Sequence, residues 1–275
     1  MIEMPEAKTI ARQMDETLTG KTFQHFSRGP LTHKFLWLTK PAEEYDAFLS
    51  GRKVTGATSY GRSIYLYVDE THLLWFGELG GRILYYPVGQ PLPGKYHLRW
   101  DFTDASAMIF SLQMWGFVGL LEKSELRSHP HAEVGIPPLS DRFTQECFDQ
   151  LLEAYPEKAK KGIKGFMVTS QFINGIGNGY LQDILFRAKI HPQRKIPTIT
   201  EAERHQLYDA IQATMSQAIT LGGREDERDL FDNSGGYRRL MSSQTAGNPC
   251  PTCGTMIQKI SYLGGACYVC PLCQV

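Results

Sequence analysis

Hydrophobic positions along the chain follow first a helical period, then an alternating one, then a helical one again. Ala7, Ile10, Ala11, Met14 and Leu18 recur at three- and four-residue spacing and predict a first helix with one buried face. Pro5 suits the first helical position, where a missing N–H is no loss, Glu6 suits the positive end of the helix dipole, and Gly20 stops the helix. From residue 22 to residue 122 the pattern is that of strands. Lys34–Leu38, Ser63–Val68, Leu73–Phe76, Ile83–Val88, His97–Phe102 and Met108–Leu112 are rich in aromatic and branched residues and are separated by Gly, Pro, Asp and Thr. Such regularly spaced short strands predict a β-sandwich or barrel.

The polar, proline-bearing stretch Ser128–Pro138 reads as a linker. Beyond it, Ser140 with Phe143, Phe148, Leu151 and Leu152 marks a helix. Thr200 and Glu203 have the spacing of a capping box ahead of Leu207, Ile211, Met215, Ala218 and Ile219, and Gly222 and Gly223 end that helix. Residues 224–249 are irregular and polar. The fold class is therefore α+β, with an N-terminal helix and β-sandwich (1–127), a linker (128–138), a helical domain (139–248) and a cysteine-rich end (249–275).

Composition narrows the function classes. The chain of 275 residues is 42% hydrophobic and 21% charged, an ordinary globular balance, with a formal net charge of zero. Zero charge counts against a nucleic-acid binder unless a local basic patch exists. No apolar run approaches the ~20 residues of a membrane span, and the acidic start lacks the apolar region of a signal peptide, so a cytoplasmic protein is expected. In that reducing setting, five cysteines between Cys250 and Cys273 point to metal rather than disulfides. Cys250-Pro-Thr-Cys253 and Cys270-Pro-Leu-Cys273, with 16 residues between them, match a four-thiolate structural Zn2+ site. Cys267 falls just outside the second pair and is expected not to ligate. The site's task is to hold the hairpin Ile257–Tyr268.

A second motif lies upstream. Gly175, Gly177 and Gly179 alternate with Ile176 and Asn178, and Leu181, Ile184, Leu185 and Ala188 continue at helical spacing. Glycines ahead of a helix let backbone N–H groups approach a phosphate, with Asn178 either donating to the same phosphate or capping the helix. Lys158, Lys160, Lys161 and Lys164 precede this turn, and Arg187, Lys189, His191, Arg194 and Lys195 follow it. They are the local basic patch that DNA binding demands, with Lys161, Lys164 and Arg194 the leading phosphate contacts.

These motifs, taken together, resemble the formamidopyrimidine-DNA glycosylase / endonuclease VIII family over nearly the whole chain. Met4-Pro5-Glu6, Pro138-Leu139-Ser140-Asp141, Gly175-Ile176-Gly177-Asn178-Gly179-Tyr180 followed by Ile190-His191-Pro192, and the four-cysteine finger ending at Gln274 carry the resemblance. It implies a helix plus β-sandwich, a helix–two-turn–helix domain and a zinc finger, with DNA crossing the cleft between them. The implied reaction excises an oxidised base from a flipped-out nucleotide and cleaves the abasic site by β-elimination. In the family, an N-terminal proline amine forms an iminium with the sugar, and the adjacent Glu handles protons.

Departures from the family pattern fall on the chemistry. Ile2 stands where the family has proline, so the free amine belongs to Met1, displaced by up to about 3.5 Å. Glu3 matches the general acid/base and Glu6 the second N-terminal glutamate. Arg62 replaces the strand lysine and keeps its charge without serving as an amine nucleophile. Gln113 or Met114 fills the gap left by the flipped base, with Trp115 as aromatic wedge, and Gly265 stands where the finger has its phosphate-binding arginine. The loop Gly222–Tyr237 forms part of the base pocket by resemblance, with Arg224, Asp229 and Tyr237 as candidates.

The expected function is that of a base-excision repair protein, a monomer in the cytoplasm associated with the nucleoid, binding damaged or abasic double-stranded DNA. It is a glycosylase or abasic-site lyase using the Met1 amine, or Glu3 with water. The alternatives are a catalytically silent damage reader of the same fold and, last, a zinc-finger protein that binds another protein. The retained Glu3 favours the enzyme.

Overall fold

The computed structural model describes residues 1–129 and 131–275; Pro130, within the expected linker, lies outside the described residues. The chain divides into two compact units, Met1–Glu133 with Glu225–Gly236, and Val134–Arg224 with Tyr237–Val275. The finger residues thus belong with the helical segment in one unit, and a twelve-residue excursion, Glu225–Gly236, belongs with the first.

In the first unit α1 (Met4–Leu18) starts one residue before Pro5 and buries Ala7, Ile10, Ala11, Met14 and Leu18 to 2% exposure or less. Glu3 is its N-cap, in a reciprocal capping box with Glu6. After it come β1 (Phe23–Arg28), β2 (Leu36–Leu38), α2 (Ala42–Leu49), β3 (Gly56–Tyr60), β4 (Ser63–Tyr67), β5 (His72–Gly77), β6 (Gly81–Tyr86), β7 (Leu98–Phe102), β8 (Ala107–Leu112) and β9 (Gly116–Glu122). Two sheets form, ordered β1-β7-β8-β6 and β2-β9-β5-β4-β3. All ladders are antiparallel except β2 on β9. Ile64, Leu66, Leu74 and Phe76 from one sheet and Leu98, Trp100, Met108 and Phe110 from the other share a core with the buried face of α1. Burial of each large side chain in it contributes roughly 1.5–3 kcal/mol.

Four elements of this unit escape the hydrophobic pattern. In β1 the pairing with β7 shifts between Phe23 and His25, which breaks the period of two. β3 carries small and polar residues, and α2 is too short for a persistent stripe. β9 contains Gly119 because Trp75 lies across it: a Cβ there would stand 3.2 Å from the Trp75 ring. The expected strand Lys34–Leu38 contracts to Leu36–Leu38, and the one ending at Val88 stops at Tyr86.

In the second unit α3 (Gln145–Ala154) begins later than Ser140 suggests, because Thr144 caps it by accepting from the Cys147 N–H at 3.2 Å. α4 (Ile163–Thr169), α5 (Asn178–Arg187) and α6 (Glu201–Thr220) follow, and the Thr200–Glu203 capping box forms as expected. The finger hairpin is β10 (Gln258–Tyr262) with β11 (Gly265–Val269). It is tied to the helices: the Tyr268 N–H donates to Gln182 Oε1 at 3.2 Å, the Gly162 N–H to Tyr262 Oη at 2.7 Å, and Gln274 Nε2 to the Ile190 carbonyl at 3.0 Å. Among the described residues no helix is long and apolar enough to cross a membrane.

Candidate functional site

At the chain's start, two interactions fix the first residues. The Ile2 N–H donates to the Leu79 carbonyl at 2.8 Å, and the Ile2 side chain is buried. The Met1 ammonium sits 2.5 Å from Glu227 Oε1. Residue 2 therefore contributes an amide, locked in a backbone hydrogen bond. Glu3 is buried, and its own N–H donates to Glu6 Oε2 at 2.9 Å. Glu3 and Glu6 thus share the reciprocal capping box at the start of α1.

Arg62, in the turn between β3 and β4, lies 3.4 Å from Glu78 Oε1. Gln113 and Met114 are exposed at the β8–β9 connection, where their N–H groups both donate to the Gly80 carbonyl, at 2.8 and 2.9 Å. The Gly80 N–H returns a bond to the Trp115 carbonyl at 2.8 Å, and Trp115 is half-buried. The connection is a clamped tip that presents two side chains outward.

The second unit holds the glycine turn. Gly177 is the N-cap of α5 and Asn178 its first residue, so Asn178 does not cap the helix, and it is exposed. Of the three alternating glycines, Gly175 alone takes a left-handed backbone, at φ 113°. Lys164 is 1% exposed, not a surface lysine: its Nζ donates to the Tyr262 carbonyl at 2.8 Å and lies 3.4 Å from Cys267 Sγ. It still reaches the same place as Asn178. A Cβ on Gly265 would stand 3.0 Å from Asn178 Nδ2 and 3.3 Å from Lys164 Nζ. Lys161 pairs with Glu157 one helical turn away.

Three sequence expectations change here. Arg194 binds Glu203 through Nη1 and Nη2 at 2.8 and 3.0 Å and the Thr198 carbonyl at 2.7 Å, so its donors are engaged within the protein rather than offered to phosphate. Tyr237 is 2% exposed, with its hydroxyl donating to Asp183 Oδ2 at 2.8 Å. Arg224 is 3% exposed, with its guanidinium 4.9 Å from the centre of the Tyr180 ring. Both fasten the segment after α6 to α5 from inside instead of lining an open base pocket. Burial pushes the Asp183 carboxyl above its usual range, against the lowering effect of the Leu240 and Met241 N–H groups and the Tyr237 hydroxyl.

Cys250, Cys253, Cys270 and Cys273 bring their sulfurs within 4.8 Å of one another, with Cys250–Cys273 at 3.9 Å and Cys253–Cys270 at 3.4 Å. A tetrahedral ion with metal–sulfur bonds of about 2.3 Å calls for sulfurs about 3.8 Å apart, so the four can hold a metal ion. Cys267 is outside this group and fully buried.

A mixed sandwich, a glycine-turn helix pair and a four-cysteine hairpin in this order define a class of DNA glycosylase folds. The model of the formamidopyrimidine-DNA glycosylase N-terminal domain matches residues 1–113, and that of the formamidopyrimidine-DNA glycosylase H2TH domain matches residues 134–228. Formamidopyrimidine-DNA glycosylases from Bacillus cereus and Cytobacillus firmus are 28% and 29% identical, covering all of this chain and 99% and 100% of their own lengths. The chain belongs to the formamidopyrimidine-DNA glycosylase / endonuclease VIII family. Its fold is similar to Lactococcus lactis Fpg solved with abasic-site DNA and with DNA containing N7-benzyl-Fapy-dG. For both, the TM-score is 0.86 and the identity 23%, with 99% of each chain covered.

The residue that sequence reasoning missed is Glu227. Nothing local marks it; it is one of several acids in an irregular segment, and its partner is 226 positions away.

Proposed function

We propose that this protein binds damaged or abasic double-stranded DNA in base excision repair, and that it is a DNA glycosylase and abasic-site lyase whose nucleophile is the Met1 α-amine. The observation that carries this reading is the state of the first two residues. With the Ile2 N–H committed to the Leu79 carbonyl, the amine next to buried Glu3 is that of Met1. Glu3 is the proton-handling carboxylate of the reading, Arg62 a fixed positive charge, and Gln113, Met114 and Trp115 the wedge. Asn178, Lys161 and the N–H groups of Gly177 and Gly179 hold the backbone, with buried Lys164 supporting the hairpin beside them. The four cysteines hold a structural Zn2+, which does no chemistry and keeps the hairpin folded. The protein acts as a monomer in the cytoplasm, on the nucleoid.

The test is borohydride trapping on abasic-site duplex DNA, with mass mapping of the adduct. An adduct on Met1 is expected. A second reading, a silent damage reader, is favoured by the pairing of Arg62 with Glu78. Tight binding without any adduct or base release would establish it.

A further inference from the structure

The Met1 amine does not hang free at the surface; a carboxylate from a distant part of the chain meets it. Glu227 belongs to the Glu225–Gly236 excursion, which is anchored immediately after it. Gln13, on the buried side of α1, donates through Nε2 to Asp229 Oδ2 at 2.8 Å and accepts from the Leu230 N–H at 2.9 Å. Leu230 is fully buried in the sandwich core, and its carbonyl accepts from the Tyr85 N–H at 2.8 Å. Hydrogen bonds from Gln13 and Asn233 overcome burial and hold the Asp229 carboxyl below its usual range, so the anchor stays ionised at neutral pH. Two residues upstream, Glu227 is 16% exposed and lies 2.5 Å from the Met1 nitrogen.

We infer that Glu227 is the positioning residue and proton acceptor for the Met1 α-amine. The inference rests on the reading of Met1 as nucleophile and goes beyond it by naming the group that makes an amine one residue too far out usable. Adding a residue displaces the amine by up to about 3.5 Å, and a flexible terminus would sample many directions. A carboxylate fixed on a docked segment restricts that sampling, which is where a lost nucleophile geometry is recovered.

The proton balance also closes on it. The ammonium passes a proton to the Glu227 carboxylate. The nitrogen lone pair then forms a bond to C1′ of the ring-opened abasic sugar, and the carbonyl π pair moves onto oxygen. Two protons leave nitrogen in all, relayed by Glu227, and both depart with that oxygen as water, leaving the protonated iminium that borohydride reduces.

The experiment uses the full-length protein, its Glu227→Gln and Glu227→Asp variants and abasic-site duplex DNA. Binding affinity and the single-turnover rate of borohydride-trapped Met1 adduct are measured separately. Glu227→Gln is expected to lower the trapping rate at least tenfold with affinity unchanged within twofold. Glu227→Asp restores part of it, since the carboxylate remains. An unchanged or faster rate in Glu227→Gln, with the unsubstituted protein forming the Met1 adduct, overturns the role of Glu227 alone. Absence of a Met1 adduct in the unsubstituted protein overturns the nucleophile reading and this role together.

Discussion

Gly265, in the finger hairpin, faces Asn178 at the start of α5 so closely that a Cβ on it would lie 3.0 Å from the Asn178 amide nitrogen. Lys164 completes the group at 3.3 Å. Hairpin, buried lysine and helix start converge on one spot, where the resemblance puts a phosphate-binding arginine. The glycine's backbone is not left-handed, so a side chain is tolerable there if the exposed Asn178 amide moves by a few tenths of an ångström.

Gly265→Arg is therefore expected to tighten DNA binding about tenfold and to steepen the plot of log affinity against log salt by about one unit, as one more phosphate is neutralised. Fluorescence anisotropy titrations at several salt concentrations read both. An unchanged slope would mean that the added guanidinium meets no phosphate.

Asn178→Ala removes an exposed amide that caps nothing. It should weaken DNA binding about tenfold, in keeping with loss of a hydrogen bond to a charged group at roughly 1.5 kcal/mol, while thermal stability stays within about 0.5 kcal/mol. A variant that binds normally would remove Asn178 from the interface.

Cys250→Ser should eliminate the one zinc ion per chain expected by metal analysis. The finger residues Ile257 and Cys270 pack with Phe186 of α5 and Met241, so the loss should spread into that helix and weaken DNA binding at least tenfold. Hydrogen exchange would detect it as lost protection across β10, β11 and α5, with strands β4, β5 and β9 unaffected. Intact protection of β10 and β11 in the metal-free protein would refute the structural role.

Acid stability carries a contribution from Asp69 in the β4–β5 turn. Burial opposes its ionisation, yet the Thr71 and His72 N–H groups and the Thr71 hydroxyl hold its carboxyl down at about 2, below the ordinary 3.8. A depressed carboxylate stabilises the fold above its unfolded pKa, and that contribution is lost as pH falls from about 4 to about 2. After allowance for solvent screening at a partly exposed turn, Asp69→Asn should destabilise by about 1 kcal/mol at pH 7 and by almost nothing near pH 2. Denaturant titrations across that range would show converging midpoints; a constant gap would mean that the turn depends on shape and not on charge.

Local signals were legible in the amino-acid order because short-range geometry writes them there. Two close cysteine pairs mark the four sulfurs that can hold a metal ion, alternating glycines mark the start of α5, and the α1 stripe becomes the buried face it predicts. Tertiary structure alone decided which charges are available and which amine meets which carboxylate. Lys164 and Arg194 look like surface cations in the sequence, but one is sealed beneath the hairpin and the other is held by Glu203. Tyr237 looks like a pocket residue and is a buried hydrogen-bond donor to Asp183. Met1 finds Glu227 because Gln13 and Leu230 dock a distant segment on α1. Periodicity and spacing report what neighbours along the chain do. The availability of a charge depends on desolvation and on partners brought in from far along the chain, and those exist only once the core has closed.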